Sequence, residues 1–198
     1  MTASELVLRA ATVTDAARLA ELHATRISEG FLSQLGTGFL RRLYRRVIVS
    51  PEGFVVVAVA DYQVVGFAAG ALDVGRLYRS FLVRDGIAAG LVTAPRLLRS
   101  WRRVLETLRY PTRGEDLPAA EILAVAVEAS AAGRGIGRRL VTFALDEFIR
   151  RGTTAAKVVA GADNAAALGL YAVCGFVAHT SIAVHRGTPS EVLVWSSR

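Results

Sequence analysis

The stretch that decides the fold runs from Glu121 to Val141 and reads EILAVAVEASAAGRGIGRRLV. Its first part, EILAVAV, is rich in apolar and β-branched residues and predicts a buried strand from Glu121 to Val127. A loop of small residues, Ala129 to Gly137, follows, and apolar residues at helical spacing predict a helix over Arg138 to Arg151. Glycines between a strand and a helix expose several backbone N–H groups beside the positive end of the helix dipole, which suits a phosphate group.

The rest of the chain alternates between patterns typical of helices and of strands, without an internal repeat. A stretch from about Asp73 to Pro118, with nine arginines and Trp101, predicts an inserted pair of helices. The remaining predicted elements are strand 6–10, a helix capped by Thr14, a helix over Phe39 to Val47, hairpin strands 54–60 and 64–71, strand 155–160, a short helix from Asn164 to Gly175, and strands 176–184 and 191–196. This order predicts one mixed α/β (α+β) domain, 1–198, around a single sheet.

The composition excludes several classes of protein. The chain has 198 residues, 53% of them hydrophobic and 21% charged, so it has enough apolar material for a buried core and is not disordered. The single cysteine, Cys174, cannot form an internal disulfide. The first residues lack the pattern of a signal peptide, and no apolar run is long enough to span a bilayer. We therefore expect a cytoplasmic protein without stable membrane insertion.

The net charge of +7 favours an anionic ligand, but its detail argues against nucleic acid as a partner. Of the 24 basic residues, 23 are arginine and Lys157 is the one lysine, a bias spread over the whole chain rather than concentrated in a binding strand. With one cysteine and three histidines, the sequence has no spacing typical of metal ligands. We expect neither a metal site nor nucleic-acid binding.

Two common phosphate-binding loops fit the glycines poorly. A P-loop requires Lys-Ser/Thr after its last glycine, where this chain has Arg138-Arg139. A dinucleotide-binding loop requires a third glycine, and it normally follows the first strand of its unit rather than a strand past mid-chain. The glycines alone also leave open the ordinary role of a tight connection.

Two segments together resemble the GNAT superfamily of acyl-CoA-dependent N-acetyltransferases. The sequence AGRGIGRRLV, Ala132 to Val141, is similar to the family loop Arg/Gln-x-x-Gly-x-Gly/Ala, with Ala132 in place of the usual Arg or Gln. The sequence DNAAALGLYAVCGF, Asp163 to Phe176, is similar to the family segment N-x-x-A-x-x-L-Y-x-x-x-G-F. The resemblance implies a central, mostly antiparallel, twisted sheet flanked by helices.

The resemblance also implies acetyl-CoA as cosubstrate and a set of residues that bind it. The loop amides of about Arg134 to Arg138 would hold the pyrophosphate, and the backbone of Val125 and Val127 would hold the pantetheine arm, with Val127 nearest the thioester oxygen. The implied cofactor-binding residues are Val125, Ala126, Val127, Ala132, Gly133, Arg134, Gly135, Ile136, Gly137, Arg138 and Asn164. The alternative for Asn164 is a helix N-cap.

The resemblance further implies two catalytic residues. Tyr171 is the candidate acid for the departing thiolate, its alternative being an ordinary core tyrosine. Glu121 is the candidate base for the amine, directly or through water, its alternative being an exposed carboxylate at a strand end. Period-two alternation predicts that Glu121 shares a face of the strand with Leu123, Val125 and Val127. Cys174 lacks a neighbouring histidine in the sequence and is not expected to be a nucleophile.

These features predict an enzyme that transfers acetyl from acetyl-CoA to a primary amine of a small molecule or a protein, by direct attack in a ternary complex. The alternative is a catalytically silent acyl-CoA sensor of the same fold, for which the Ala132 departure leaves room. The insertion could cap the acceptor site, form a homodimer through Trp101 and leucine faces, touch an anionic membrane surface, or be a solvated helix pair.

Overall fold

The computed structural model describes residues 5–27, 32, 35–81, 83, 117–182 and 189–197. Its seven strands form one sheet in the order β1-β2-β3-β4-β5-β7-β6. The strands are β1 Val7–Ala10, β2 Gly53–Ala60, β3 Gln63–Ala71, β4 Glu121–Val127, β5 Ala155–Gly161, β6 Val177–Ile182 and β7 Ser190–Ser196. Among these strands, β4 and β5 form the one parallel pair, and all other neighbours are antiparallel.

The helices cover the two faces of the sheet. They are α1 Ala16–Arg26, α2 Thr37–Val49, α3 Ile136–Arg150 and α4 Ala165–Val173, with a further helical stretch over 74–81. One buried cluster, the α1–α2 core, joins α1, α2 and the stretch 74–81 to one face of the sheet. A second cluster, the α3–α4 core, joins α3 and α4 to the other face. The predicted fold class, a mixed α/β domain with a mostly antiparallel sheet between helices, is confirmed.

Alternation along β2 shows why one strand can serve both cores. Val55 and Val57 pack into the α1–α2 core, whereas Phe54, Val56 and Ala58 pack into the α3–α4 core. Successive side chains of a strand point to opposite faces, so a strand covered on both sides is apolar throughout. This explains the unbroken hydrophobic run that the sequence shows at this strand.

Two local predictions differ from the structure at helix starts. The first helix is preceded by a short 3-10 turn, Val13–Asp15, in which the Asp15 carboxylate accepts a hydrogen bond of 2.7 Å from Thr12 N, so Thr12 and not Thr14 begins the helical region. The helix predicted from Arg138 begins at Ile136, because Gly135 adopts a left-handed conformation that ends the loop.

The predicted insertion from Asp73 to Pro118 begins as part of the core. In the helical stretch 74–81, Leu77 is fully buried and Val74 and Phe81 join the α1–α2 core. Residues 82 and 84–116, with Trp101, lie outside the described residues. The first two turns of the predicted insertion are therefore an integral element of the sheet's helical cover.

Candidate active site

Strands β4 and β5 are paired at one end and separate at the other. Their pairing consists of Glu121 with Lys157 and Ile122 with Val158. Beyond Ile122, β4 continues to Val127 with β3 as its paired neighbour in the described chain. The two strands therefore enclose an opening, hereafter the β4–β5 gap, whose closed end lies at Glu121 and Lys157.

A β-bulge lies in β4 where the gap begins. Ala124 pairs with Ala69 of β3, but the next pair joins Ile122 to Gly70, so Leu123 is an extra residue without a partner in the ladder. A bulge bends its strand and reverses the alternation of all groups beyond it. The bulge therefore marks the point where β4 turns away from β5.

The bulge makes one expectation from the sequence wrong for Val125 and Val127, although it holds for Leu123. Glu121 was expected to share a face with Leu123, Val125 and Val127, but Leu123 packs against the α1–α2 core whereas Val125 and Val127 pack against the α3–α4 core. Glu121 pairs with Lys157, which alternates with residues of the α3–α4 core and so faces the α1–α2 side. The carboxylate and the two valine side chains therefore lie on opposite faces of the sheet.

The same register directs the peptide groups of Val125 and Val127 into the gap. Glu128 N donates to Val65 O of β3 at 2.8 Å. Because hydrogen-bonded pairs alternate along an antiparallel ladder, Ala126 also bonds to β3, while Val125 and Val127 present their N–H and C=O groups on the opposite edge. The edge that borders the gap therefore offers the backbone donors and acceptors of these two valines.

One of these groups already has a partner that the sequence did not suggest. Arg26 Nε, at the end of α1, donates to Val127 O at 3.0 Å. Arg26 and Val127 are about a hundred residues apart, and nothing in the local pattern of α1 signals the contact. The Val127 carbonyl is thus occupied, and the N–H of Val125 is the first donor facing the gap beyond the bulge.

The loop before α3 exposes a row of backbone donors. Gly133 and Gly135 have φ of +75° and +73°, in the left-handed region that favours glycine. A Cβ added at either glycine would meet no atom within 4 Å, so this face of the loop is open. In the described parts of the chain, no backbone acceptor pairs with the N–H groups of residues 133–138. The first backbone hydrogen bond of α3 is the one that Arg139 N donates to Gly135 O.

The surroundings of these donors suit a diphosphate. Gly135 is the N-cap of α3, so the unpaired N–H groups lie at the positive end of a helix dipole. Arg134 and Arg138 are exposed beside them. At Gly137, a Cβ would lie 3.4 Å from Leu170 Cδ2, so the small residue allows α3 and α4 to approach closely. The methyl group of Ala132 cannot donate a hydrogen bond to a phosphate, and the N–H of Ala132 donates to Ala129 O at 3.2 Å.

Tyr171 lies in α4 and is 6% exposed. Its ring meets that of Phe176 edge-on, with centroids 5.6 Å apart, and both belong to the α3–α4 core against which Val125 and Val127 pack. Burial raises the pKa of Tyr171 above its ordinary value, and the neighbouring Cys174 adds to the rise. The phenol is therefore protonated at neutral pH, as a proton donor must be.

Asn164 and Cys174 stand at the two ends of α4. Asn164 is the N-cap, and its Oδ1 accepts a hydrogen bond of 3.0 Å from Ala167 N. The side-chain oxygen is thus used by the helix, which leaves its amide group as the part that could contact a ligand. Burial raises the pKa of Cys174, which disfavours the thiolate and agrees with the expectation that it is not a nucleophile.

Glu121 has a partner that the sequence analysis missed. Lys157 Nζ lies 3.6 Å from Glu121 Oε2, and the two side chains are 3% and 15% exposed, respectively. Burial raises the pKa of Glu121, and the ammonium of Lys157 opposes that rise. The available signal was the single lysine of the chain, placed within an otherwise apolar strand. Glu121 is therefore a partly buried, ion-paired carboxylate and not an exposed strand end.

Within the residues that the structure describes, no group of three or more His, Cys, Asp or Glu side chains could hold a metal ion. None of the described helices combines the length and apolarity needed to cross a bilayer.

The fold and the gap define a class of protein, an α/β fold whose separated central strands and exposed loop donors suit an extended ligand with a diphosphate. Residues 21–176 match the Acetyltransferase (GNAT) family. The chain belongs to this family and is an acyltransferase, and the family binds acetyl-CoA. The resemblance inferred from the two motifs is thus confirmed. A comparison with curated proteins finds no match.

Solved structures share the fold over nearly the whole chain. The ribosomal-protein-S18-alanine N-acetyltransferase from Escherichia coli has a TM-score of 0.64 at 14% identity, covering 98% of this chain and 96% of that one. YncA from Salmonella typhimurium, with its cofactor acetyl-CoA, has 0.65 at 19%, covering 98% and 95%. A spermidine N-acetyltransferase chimera from Vibrio cholerae and hSSAT has 0.63 at 16%, covering 98% and 96%.

Proposed function

We propose that this enzyme transfers an acetyl group from acetyl-CoA to a primary amine by direct attack, with both substrates bound at the β4–β5 gap. The observation that carries the proposal is the end of β4–β5 pairing after Ile122, beside a bulge that turns the peptide groups of Val125 and Val127 into the opening. When bound, acetyl-CoA supplies an acetyl group activated as a thioester.

The chain's own backbone provides the binding groups in this proposal. The N–H groups of residues 133–138 hold the diphosphate at the start of α3, with Arg134 and Arg138 adding positive charge. The peptide groups at the β4 edge bind the pantetheine arm. In place of Val127, which the resemblance puts nearest the thioester oxygen, we assign to the Val125 N–H the hydrogen bond to that oxygen, where negative charge develops, because it is the first donor beyond the bulge. Asn164 contributes its amide group beside this arm.

Tyr171 serves as the general acid. Its hydroxyl holds the proton that the departing thiolate takes, and its buried site keeps that proton in place at neutral pH. The raised pKa also makes the transfer less favourable, at about 1.4 kcal/mol for each unit by which the phenol exceeds the thiol. We therefore assign Tyr171 a contribution of about 10- to 100-fold to turnover, below the range of well-matched acids.

Glu121 serves as the general base. It lies four residues before Val125, about 13 Å along an extended strand, which is beyond the reach of its side chain alone. The carboxylate therefore receives the amine proton through water. Its burial raises its pKa above the ordinary value for a carboxylate, which makes it a stronger base than an exposed carboxylate.

The acceptor is an amine, as in the named activities of two structural neighbours, which act on a ribosomal-protein alanine and on spermidine. The alternative of a silent acyl-CoA sensor is less well supported. A sensor needs the glycine loop but not a buried, protonated tyrosine packed in the same core as the strand that borders the gap.

The test is an acetyl-CoA thiol-release assay on the purified chain, with a peptide that begins with alanine, spermidine and a panel of small primary amines as acceptors. We expect release of one CoA thiol for each N-acetylated product found by mass spectrometry. Calorimetry with CoA provides the binding control. Binding of CoA without transfer to any amine would support the sensor and contradict the proposal.

A further inference from the structure

The contacts of Lys157 concentrate at the closed end of the β4–β5 gap. Its backbone N donates to Ala120 O at 2.9 Å, its Nζ donates to Pro118 O, and the same Nζ lies 3.6 Å from Glu121 Oε2. Lys157 is 2% exposed, which is unusual for a lysine and requires that its charge be compensated. One buried side chain thus ties β5 to Glu121 and to the residues just before β4.

Removing either charge would leave the other uncompensated in a nearly dry site. A purely structural role could be filled by two apolar residues, which pack at such positions at lower cost. The ion pair instead occupies the last stretch where the strands are joined, immediately before the bulge at Leu123. The ion pair therefore fixes the orientation of the Glu121 carboxylate at the point where β4 and β5 begin to separate.

We propose that Lys157 is a positioning residue for acyl transfer: its ammonium holds the Glu121 carboxylate at the closed end of the β4–β5 gap, oriented to take the acceptor proton. This inference rests on the proposed function, because it assumes that Glu121 is the base. Lys157 acts through Glu121 and contacts no reacting atom.

The electrostatic surroundings of Glu121 give the direction of the expected effect. Among the residues that the structure describes, the charged or titratable groups that interact with it are Lys157 on β5 and Tyr78 in the stretch 74–81, while β3 places Ala71 opposite. Burial raises the pKa of Tyr78, and the charge of Glu121 raises it further, so this phenol is neutral near pH 7. Lys157 is then the one group among them that lowers the pKa of Glu121.

The experiment compares Lys157→Met and Lys157→Arg with the parent enzyme in two measurements. The first follows the Glu121 carboxyl carbon by NMR on glutamate-labelled protein, with Glu121→Gln identifying the signal. The second records kcat/KM against pH in the thiol-release assay with the best amine of the panel. The NMR titration needs no acceptor, so it reports on the pair even without turnover.

In Lys157→Met, we expect the Glu121 titration and the acidic limb of kcat/KM to move together to higher pH by about one to three units. In Lys157→Arg, the titration should stay close to that of the parent, because the charge is kept, while kcat falls several-fold because the larger guanidinium displaces the carboxylate. Lys157→Met should add nothing in a Glu121→Gln background. Arg9→Met, which breaks an ion pair with Asp15 away from the gap, should leave the pH profile unchanged.

Each contrary outcome has its own meaning. An unchanged Glu121 titration in Lys157→Met, or an effect of that substitution that persists without Glu121, would overturn the positioning role while leaving acyl transfer intact. A shifted titration in an enzyme that acetylates no amine would overturn both the proposed function and this role. Should Lys157→Met fail to fold, unchanged kcat in Lys157→Arg would overturn the positioning role.

Discussion

The substitution Gly135→Asp tests the diphosphate site most directly when it is compared with Gly135→Asn. Gly135 has φ of +73° and is the N-cap of α3, and a Cβ built there meets no protein atom within 4 Å. Both new side chains therefore project into the open space where the phosphates are proposed to bind. Asn and Asp have nearly the same shape, and both tolerate this backbone conformation better than other residues do. The pair thus isolates the effect of one negative charge.

The magnitude follows from Coulomb's law. A carboxylate about 5 Å from a phosphate charge costs about 0.8 kcal/mol at a dielectric constant of 80 and about 3 kcal/mol at 20. We therefore expect Gly135→Asp to bind CoA about 4-fold to a few hundred-fold more weakly than Gly135→Asn. Both variants should lose about 1 kcal/mol of stability relative to glycine, because both place a side chain at positive φ, which lowers Tm by roughly 2–4 °C.

Isothermal titration calorimetry with CoA measures this difference in affinity. At higher salt, the two variants should differ less in their affinity for CoA, because salt screens the added charge. Turnover of an acetyl thioester of N-acetylcysteamine, which lacks the diphosphate, provides the control and should be equal in the two variants. Equal affinity of Gly135→Asp and Gly135→Asn for CoA would refute the assignment of the diphosphate to this loop.

Three further predictions concern the remaining polar groups of the core and of α4. Tyr171→Phe should lower kcat by about 10- to 100-fold with little change in the Kd for CoA, since the ring contact with Phe176 is kept; unchanged kcat would remove Tyr171 from the acid role. Asn164→Ala should cost about 1 kcal/mol of unfolding free energy, because Ala167 N loses its acceptor, whereas Asn164→Asp should keep the cap and stability. Calorimetry on Asn164→Asp should show weaker CoA binding, and equal affinity would leave Asn164 as a cap alone. His23 is 4% exposed, and burial lowers its pKa to about 4. In the unfolded chain His23 takes up a proton near pH 6.5, whereas in the folded chain it stays neutral until about pH 4. The free energy of unfolding should therefore fall by about 3 kcal/mol between pH 7 and pH 4. Urea unfolding of His23→Gln should lack this component, and an identical pH dependence would contradict it.

The predictions that held were those that depend on short segments. The strand Glu121–Val127, the glycine loop and the helix that follows, which begins at Ile136 rather than Arg138, are neighbours in the chain, so their pattern lies in consecutive residues. The N-cap role of Asn164 is local in the same sense, since its partner Ala167 lies three residues away. Motifs of this kind can be read without knowledge of the fold, because hydrogen bonding and backbone conformation act over a few residues.

The error over the face of Glu121 has a different origin. Alternation assumes a regular strand, and the Leu123 bulge appears only when β4 is set against β3, more than fifty residues earlier. The contacts that Glu121 and Val127 make in the site were likewise not visible in local sequence patterns. Lys157 and Glu121 meet because β4 and β5 pair in parallel, although α3 separates these strands in the chain. Arg26 and Val127 are in contact although they lie about a hundred residues apart.

Taken by itself, the amino-acid sequence was sufficient for the order of elements, the glycine loop, the position of Tyr171 in its motif and the family. Tertiary structure alone decided where β4 leaves β5, which face of the sheet Glu121 occupies, and which cation compensates its charge. The physical reason is that strand register depends on contacts between segments far apart in the chain, and a shift of one residue exchanges every inward and outward group.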